Sequence, residues 1–318
     1  MSARVYLDWN ATTPLRPEAR AAMAAACDIV GNPSSIHAEG RVARRLVEEA
    51  RAQVAQAVGA EVRNVVFTSG GTEANSLALT PGVRRDSGLE LNRLVASAVE
   101  HASVLAGGRF PQGAIEKAQV GASGVVDLGS LRKMLTEQAP ALVSVMSANN
   151  ETGALQPIRE IADIVHGAGG LLHVDAIQSI GKKPLYLNKV EADLLSISAH
   201  KLGGPKGIGA LVVREGVRGL EALLRGGGQE RGYRAGTENV VGIAGFGAAI
   251  TAAVAMIDDD AKRVEKLRNR LEIGLRQTRG LFVFSADAPR LPNTTLFTVP
   301  GLRAETAVIG FDLEGISV

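Results

Sequence analysis

The feature that most constrains this chain is a strict alternation of short apolar runs with helical or turn-rich segments. The runs fall at residues 64–68 (NVVFT), 94–98 (LVASA), 141–147 (ALVSVMS), 171–175 (LLHVD), 193–198 (DLLSIS) and 210–214 (ALVVR). Uninterrupted apolar runs of this length predict strands buried on both faces, the situation of parallel strands covered by helices. Between them, residues 41–58 set Val42, Leu46, Ala50, Val54 and Val58 on one helical stripe and stop at Gly59, a suitable C-terminal cap. Residues 157–165 predict another helix, opened by proline. The expectation is an α/β domain whose mostly parallel sheet carries helices on both faces.

The pattern changes after about residue 245. Residues 258–279 predict a charged amphipathic helix that opens with three acids, matching the helix dipole. Two short strands near 281–285 and 294–299 follow, then a helix near 304–313. We therefore expect a large domain over 14–245 and a smaller α+β domain built from 1–13 and 246–318. A chain of 318 residues suits such a division at ~150 residues per domain.

Composition narrows the function classes. The formal net charge is +2 and aromatic residues make up 3%, so neither a basic duplex-binding stripe nor an RNA-stacking surface is expected. The single cysteine, Cys27, builds no disulfide framework and no multi-cysteine metal site, and no metal is predicted. Residues 240–257 are 18 uncharged residues, the lower limit for a membrane span. Gly and Ala dominate them and Leu is absent, so a buried core helix is expected, with no membrane partner. The first residues show neither a basic n-region nor an apolar h-region, and a cytoplasmic protein is expected.

Three segments carry chemistry. Residues 65–75 (VVFTSGGTEAN) run from a strand through Ser-Gly-Gly-Thr into a helix, and the N–H groups of such a helix start bind phosphate, with a hydroxyl from Thr72. An ordinary strand–helix turn reads the same way. No lysine follows the glycines, so this is not a Walker loop. Asp175 ends an apolar strand, where a carboxylate is costly unless something cationic meets it. A plain buried ion pair or helix cap is the alternative there. Lys201 follows another apolar strand and precedes a glycine-rich loop, with Ser198 and His200 beside it, a placement that desolvates an amine and makes it nucleophilic. Phosphate cup, strand-end Asp and strand-end Lys, with 26 residues from Asp175 to Lys201, match the needs of pyridoxal 5'-phosphate. His101, after a further strand, is placed to stack on its ring.

These segments, with YLDWNATTP (6–14), GNPSSIH (31–37), EHASVL (100–105), NNETGALQPI (149–158), HVDAIQSIGK (173–182), SAHKLGGPKGIG (198–209) and GGGQERGYRAGTEN (226–239), resemble the class V, fold-type I pyridoxal-phosphate enzymes. Within them the chain is most similar to the NifS/IscS-type cysteine desulfurases, and the matches span nearly the whole chain in order. The resemblance implies that Lys201 forms the Schiff base and that Asp175 pairs with the ring nitrogen. It implies that Gln178 bonds the phenolic oxygen, and that His101 stacks on the ring and moves protons. Gly71, Thr72, Ser198 and His200 resemble the phosphate ligands, and Asn150 a residue touching cofactor or substrate. Thr237 resembles the threonine that reaches the phosphate of a neighbouring subunit, which implies a homodimer.

The implied activity takes L-cysteine to L-alanine and a protein-bound persulfide, for an iron–sulfur scaffold or another sulfur acceptor. The same scaffold would also serve a selenocysteine lyase, a C–S lyase or a catalytically silent partner subunit. The family's persulfide-forming cysteine sits on a loop beyond the strand-like residues 311–318, so the chain is expected to be a truncated form whose small domain is incomplete. Cys27 is not expected to replace that cysteine.

Overall fold

Each apolar run forms a strand in the computed structural model, which describes residues 4–318. Seven strands make one sheet: β1 (Val65–Thr68), β2 (Leu94–Ser97), β3 (Ile115–Ala118), β4 (Leu142–Met146), β5 (Leu171–Asp175), β6 (Leu194–Ser198) and β7 (Gly209–Val213). Their order is β1-β7-β6-β5-β4-β2-β3. Strand β7 runs antiparallel to both of its neighbours and the remaining pairs are parallel, so six strands share one direction. The mostly parallel sheet is as expected. Edge strand β3 was not, because its sequence IEKA is too polar to read as a buried run.

Helices cover both faces. On one lie α1 (Pro17–Cys27), α2 (Ala38–Val58), α4 (Leu128–Thr136), α5 (Ile158–Gly167) and α6 (Val240–Ala255). Helix α3 (Gly71–Ala78) packs on the other face through Ala74, Leu77 and Ala78. Helix α2 ends at Gly59 in the left-handed conformation (φ 64°), as its pattern predicts, but starts three residues earlier than expected, at Ala38. Pro157 precedes α5 as its cap and is not its first residue.

The uncharged stretch 240–257 is largely the core helix α6, whose Ile243, Phe246, Ala249, Ile250 and Ala253 are buried. Its small residues let it cross α2 closely: a Cβ at Gly247 would lie 2.8 Å from Ala50 Cα. Among the described residues no single helix is long and apolar enough to cross a membrane. The division expected at residue 245 falls inside α6, which continues without interruption and packs on α1 and α2. At Met256 the chain bends by 69° into α7 (Ile257–Leu275).

Beyond α7, Phe282–Val283 pairs antiparallel with Phe297–Thr298, and α8 (Ala304–Leu313) follows. Strand Val5–Tyr6 pairs in parallel with Ile316–Ser317, which joins the first described residues to the last. The same N-terminal segment then enters the sheet's carboxyl edge.

Candidate active site

Strands β1, β2, β4, β5 and β6 all end at the same edge of the sheet, the edge where ligands bind in open α/β folds. The residues just beyond them line a cavity of about 430 Å³. Of the residues singled out in the sequence, Gly71, Thr72, His101, Asn150, Asp175, Gln178, Ser198, His200 and Lys201 all border it. Thr237 does not; it is exposed on the loop that precedes α6.

Asp175 is buried at the end of β5. Its carboxylate accepts from Ile177 N (3.0 Å) and Asn75 Nδ2 (2.8 Å). Burial nevertheless raises its pKa, against these two bonds and the charges of His101 and Lys201. The carboxylate is thus placed to gain from a further cation in the cavity.

Lys201 follows β6 in a single turn of 3₁₀ helix and is partly buried. Its Nζ donates to the main-chain carbonyls of Asn10 and Ala11, the latter at 2.8 Å. Burial lowers its pKa, while Asp8, Asp175 and Glu151 pull in the other direction. An amine depressed by desolvation and anchored only to carbonyl oxygens is suited to attack a carbonyl carbon. His200 Nδ1 lies 3.1 Å from Thr12 Oγ1, and burial and then Lys201 push this histidine down to about 4, so its ring is neutral.

The opposite end of the cavity is a cup. Gly71 and Thr72 open α3, and Ser69 N donates to Glu73 Oε2 (2.8 Å), which leaves the following N–H groups directed outward. Ser198 Oγ is buried there without a hydrogen-bond partner. A Cβ on Gly71 would sit 2.2 Å from Ile177 Cδ1, so a side chain there would have to displace the tip of Ile177.

His101 caps the one-turn helix Ala102–Leu105. Its Nδ1 accepts from Ser103 N (3.1 Å) and meets Ser103 Oγ (2.8 Å), which leaves Nε2 as the nitrogen able to face a ligand. Beneath it, Glu100 accepts from Ser97 Oγ and from Met146 N (2.7 Å), and its Oε2 has no partner. Burial, with the Asp175 charge adding to it, pushes Glu100 up to about 8.

Five residues of the site had no role in the sequence reading: Asp8, Asn10, Asn75, Glu151 and Lys182. Asn75 did leave a signal, as a polar residue beside the apolar stripe of α3. Lys182 stands four residues after Gln178 and donates to Gln178 Oε1 at 2.8 Å. Asp8, Asn10 and Glu151 reach the cavity from loops with no local periodicity to mark them.

The loop that carries Thr237 is held from below. Arg51 forms a buried two-pronged pair with Glu230 (2.6 and 2.8 Å), and Glu230 also accepts from Phe67 N (2.9 Å). This clamp holds Glu230 (φ 46°) and Arg231 (φ 57°) in the left-handed region, which costs of order 1–3 kcal/mol per residue. Farther along, Arg234 Nε meets Glu73 Oε1 at 3.1 Å, so the loop is also tied to the first turn of α3.

Residues 5–318 match the family model described as aminotransferase class-V. A cysteine desulfurase of Cereibacter sphaeroides is 43% identical over 99% of this chain and 81% of its own length. The cysteine desulfurase IscS of Dictyoglomus turgidum is 40% identical over 100% of this chain and 81% of its own length. Among solved structures, a NifS-like protein from Rickettsia africae superposes with a TM-score of 0.91 at 36% identity, over 99% of this chain and 87% of that one.

Proposed function

The chain belongs to the class-V aminotransferase family, among its cysteine desulfurases, and we propose that the cavity at the carboxyl edge of the sheet binds pyridoxal 5'-phosphate and removes sulfur from L-cysteine. The products are L-alanine and a persulfide on a protein thiol. One observation carries the reading: Lys201 and Asp175, at the ends of neighbouring parallel strands, border one cavity together with Gly71 and Thr72 at the start of α3.

The residues present fit the cofactor. Ser198 Oγ, buried and without a partner, and the outward N–H groups at Gly71 and Thr72 provide for a phosphate. The buried Asp175 carboxylate provides for a protonated pyridine nitrogen, and Lys201 Nζ is the amine that would hold the aldehyde carbon. When bound, pyridoxal phosphate supplies an electron sink for the carbanion left when cysteine loses its α-proton.

The chain's own groups do the rest. Asp175 keeps the ring nitrogen charged, and Lys201 Nζ takes and returns the α-proton. His101 Nε2, with Nδ1 engaged by Ser103, faces the ring and moves a second proton. Gln178 Nε2 offers a donor to the phenolic oxygen, and Asn150 borders the substrate end beside Glu151. Sulfur would leave when a thiolate, from a cysteine other than Cys27, attacks the substrate sulfur and the Cβ–S bond breaks, so that thiol plus cysteine becomes persulfide plus alanine.

Thr237, exposed and away from its own cavity, supports a homodimer in which it reaches the partner's phosphate site. An iron–sulfur scaffold or another sulfur-acceptor protein would receive the sulfur. Borohydride reduction of the protein loaded with pyridoxal phosphate, followed by peptide mapping, should place the pyridoxyl group on Lys201. A label on Lys182 or Lys206 instead, or none, would overturn the reading.

A further inference from the structure

Lys182 is a second lysine at this site, and it touches the cavity only through other residues. Its Nζ donates to Gln178 Oε1 (2.8 Å) and to Asn10 Oδ1 (3.4 Å). The other end of the same carboxamide, Gln178 Nε2, donates to Asn10 O at 2.9 Å. Lys201 Nζ donates to that same carbonyl oxygen. Asn10 is in turn fixed by Asn293 Nδ2, which donates to its Oδ1 (2.9 Å), and by its own bonds to Asn150 O (2.9 Å) and Thr294 Oγ1 (3.0 Å).

From this network we infer that Lys182 is a positioning residue, which locks the Gln178 carboxamide in the orientation that presents Nε2, and never Oε1, to an acceptor in the cavity. The reason is the donor inventory. An ammonium has three donors and no acceptor, so the atom facing it must be the amide oxygen. Turning the carboxamide over would set its NH₂ against Nζ and its oxygen against Asn10 O, two repulsive contacts in place of two hydrogen bonds. A buried amide flipped in this way leaves its own oxygen and NH₂ without these partners, which is expensive away from water. Gln178 is buried, so solvent offers it no alternative partners.

The position of Lys182 agrees with this role. It lies one helical turn after Gln178, close enough to reach the amide without crossing the cavity, and it is not among the residues that line the cavity. Burial, with the Lys201 charge adding to it, brings its pKa down to about 7, far from that of a solvated lysine. Gln178 Oε1 and Asn10 Oδ1 are the acceptors that meet its protonated form.

The inference rests on the proposed role of Gln178 toward the phenolic oxygen of pyridoxal phosphate. A double-mutant cycle tests it, with the dissociation constant of pyridoxal phosphate and the absorption maximum of the bound chromophore as readouts. Lys182→Met and Gln178→Ala should each weaken binding about tenfold, the worth of one hydrogen bond to an oxygen acceptor. The double variant should be no weaker than either single one, and both single variants should shift the absorption maximum alike. Lys182→Arg, which still donates, should stay within about twofold of the unaltered protein.

If Lys182→Met does not fold, Lys182→Leu, which also has no donor, replaces it in the cycle with the same expectation of non-multiplicative loss. A multiplicative loss near a hundredfold, or a Lys182 variant whose absorption maximum is unchanged, overturns the positioning role and leaves the proposed function standing. Failure of the unaltered protein to bind pyridoxal phosphate overturns both.

Discussion

Asn75, wholly buried on α3, donates to Asp175 Oδ2 at 2.8 Å and to Ser103 Oγ at 2.9 Å. Ser103 in turn engages His101 Nδ1. One carboxamide therefore links the Asp175 carboxylate to the His101 imidazole, although the two belong to different strand ends. The geometry of the site depends on this link as much as on the groups that touch the ligand.

Asp175→Asn should slow exchange of the L-cysteine α-proton with solvent by ~10²–10³-fold, the effect of losing ~3–5 kcal/mol of buried charge pairing at ~1.4 kcal/mol per decade. Without cofactor the variant should be no less stable than the parent near neutral pH. The sign follows from the raised pKa: ionising Asp175 costs more in the fold than in the unfolded chain, so its charge opposes folding as pH rises. Urea unfolding of the cofactor-free proteins checks this, and a clear loss of stability would show that the carboxylate is already well paired.

Glu100 should leave a mark on the pH dependence of stability. Its carboxyl is ordinarily near 4.5 and stands at about 8 in the fold. Below the lower value both states are protonated and its contribution is complete. As pH rises through the window up to about 8, stability falls by up to ~1.4 kcal/mol per pH unit. Glu100→Gln should flatten that slope in chemical unfolding measured across the window. An unchanged slope would mean that Glu100 ionises as it does in water.

Glu230→Gln should destabilise the protein by ~3–5 kcal/mol, because it leaves the buried Arg51 guanidinium without its counter-charge. The left-handed pair at 230–231 would lose its clamp, and the loop to Thr237 should become the first region to exchange its amide hydrogens. Denaturation midpoints and hydrogen exchange measure the two effects separately. A cost below ~1 kcal/mol would place the pair with ordinary surface ion pairs.

Cys27→Ala should leave alanine formation unchanged. Cys27 is exposed at the end of α1 and is not among the residues lining the cavity. Mass analysis after incubation with L-cysteine should find no added sulfur on its peptide. Sulfur on Cys27, together with loss of alanine formation in the variant, would make it the acceptor thiol.

Much of the site was legible because its chemistry falls at the ends of buried strands. A strand such as 171–175 announces itself by its apolar run, and its terminal Asp is conspicuous for that reason. The same holds for the Lys201 turn after β6 and for the helix start at Gly71. Edge strand β3 escaped because an edge buries only part of its surface and needs no apolar run. The uncharged run 240–257 marked helix α6 across residue 245, because a helix buried on most sides needs no polar face.

The sequence by itself determined the alternating architecture, the order of the motifs, and the lysine and aspartate that stand at strand ends. These are written in local periodicity and in the residue types at strand ends, which depend on neighbours a few positions away. Tertiary structure alone decided which distant groups meet. Asn10 lies 172 residues from Lys182, Asn75 lies 100 from Asp175, and Arg51 lies 179 from Glu230. A buried polar group must find partners of the right donor or acceptor kind wherever the chain brings them, and no local pattern encodes that choice.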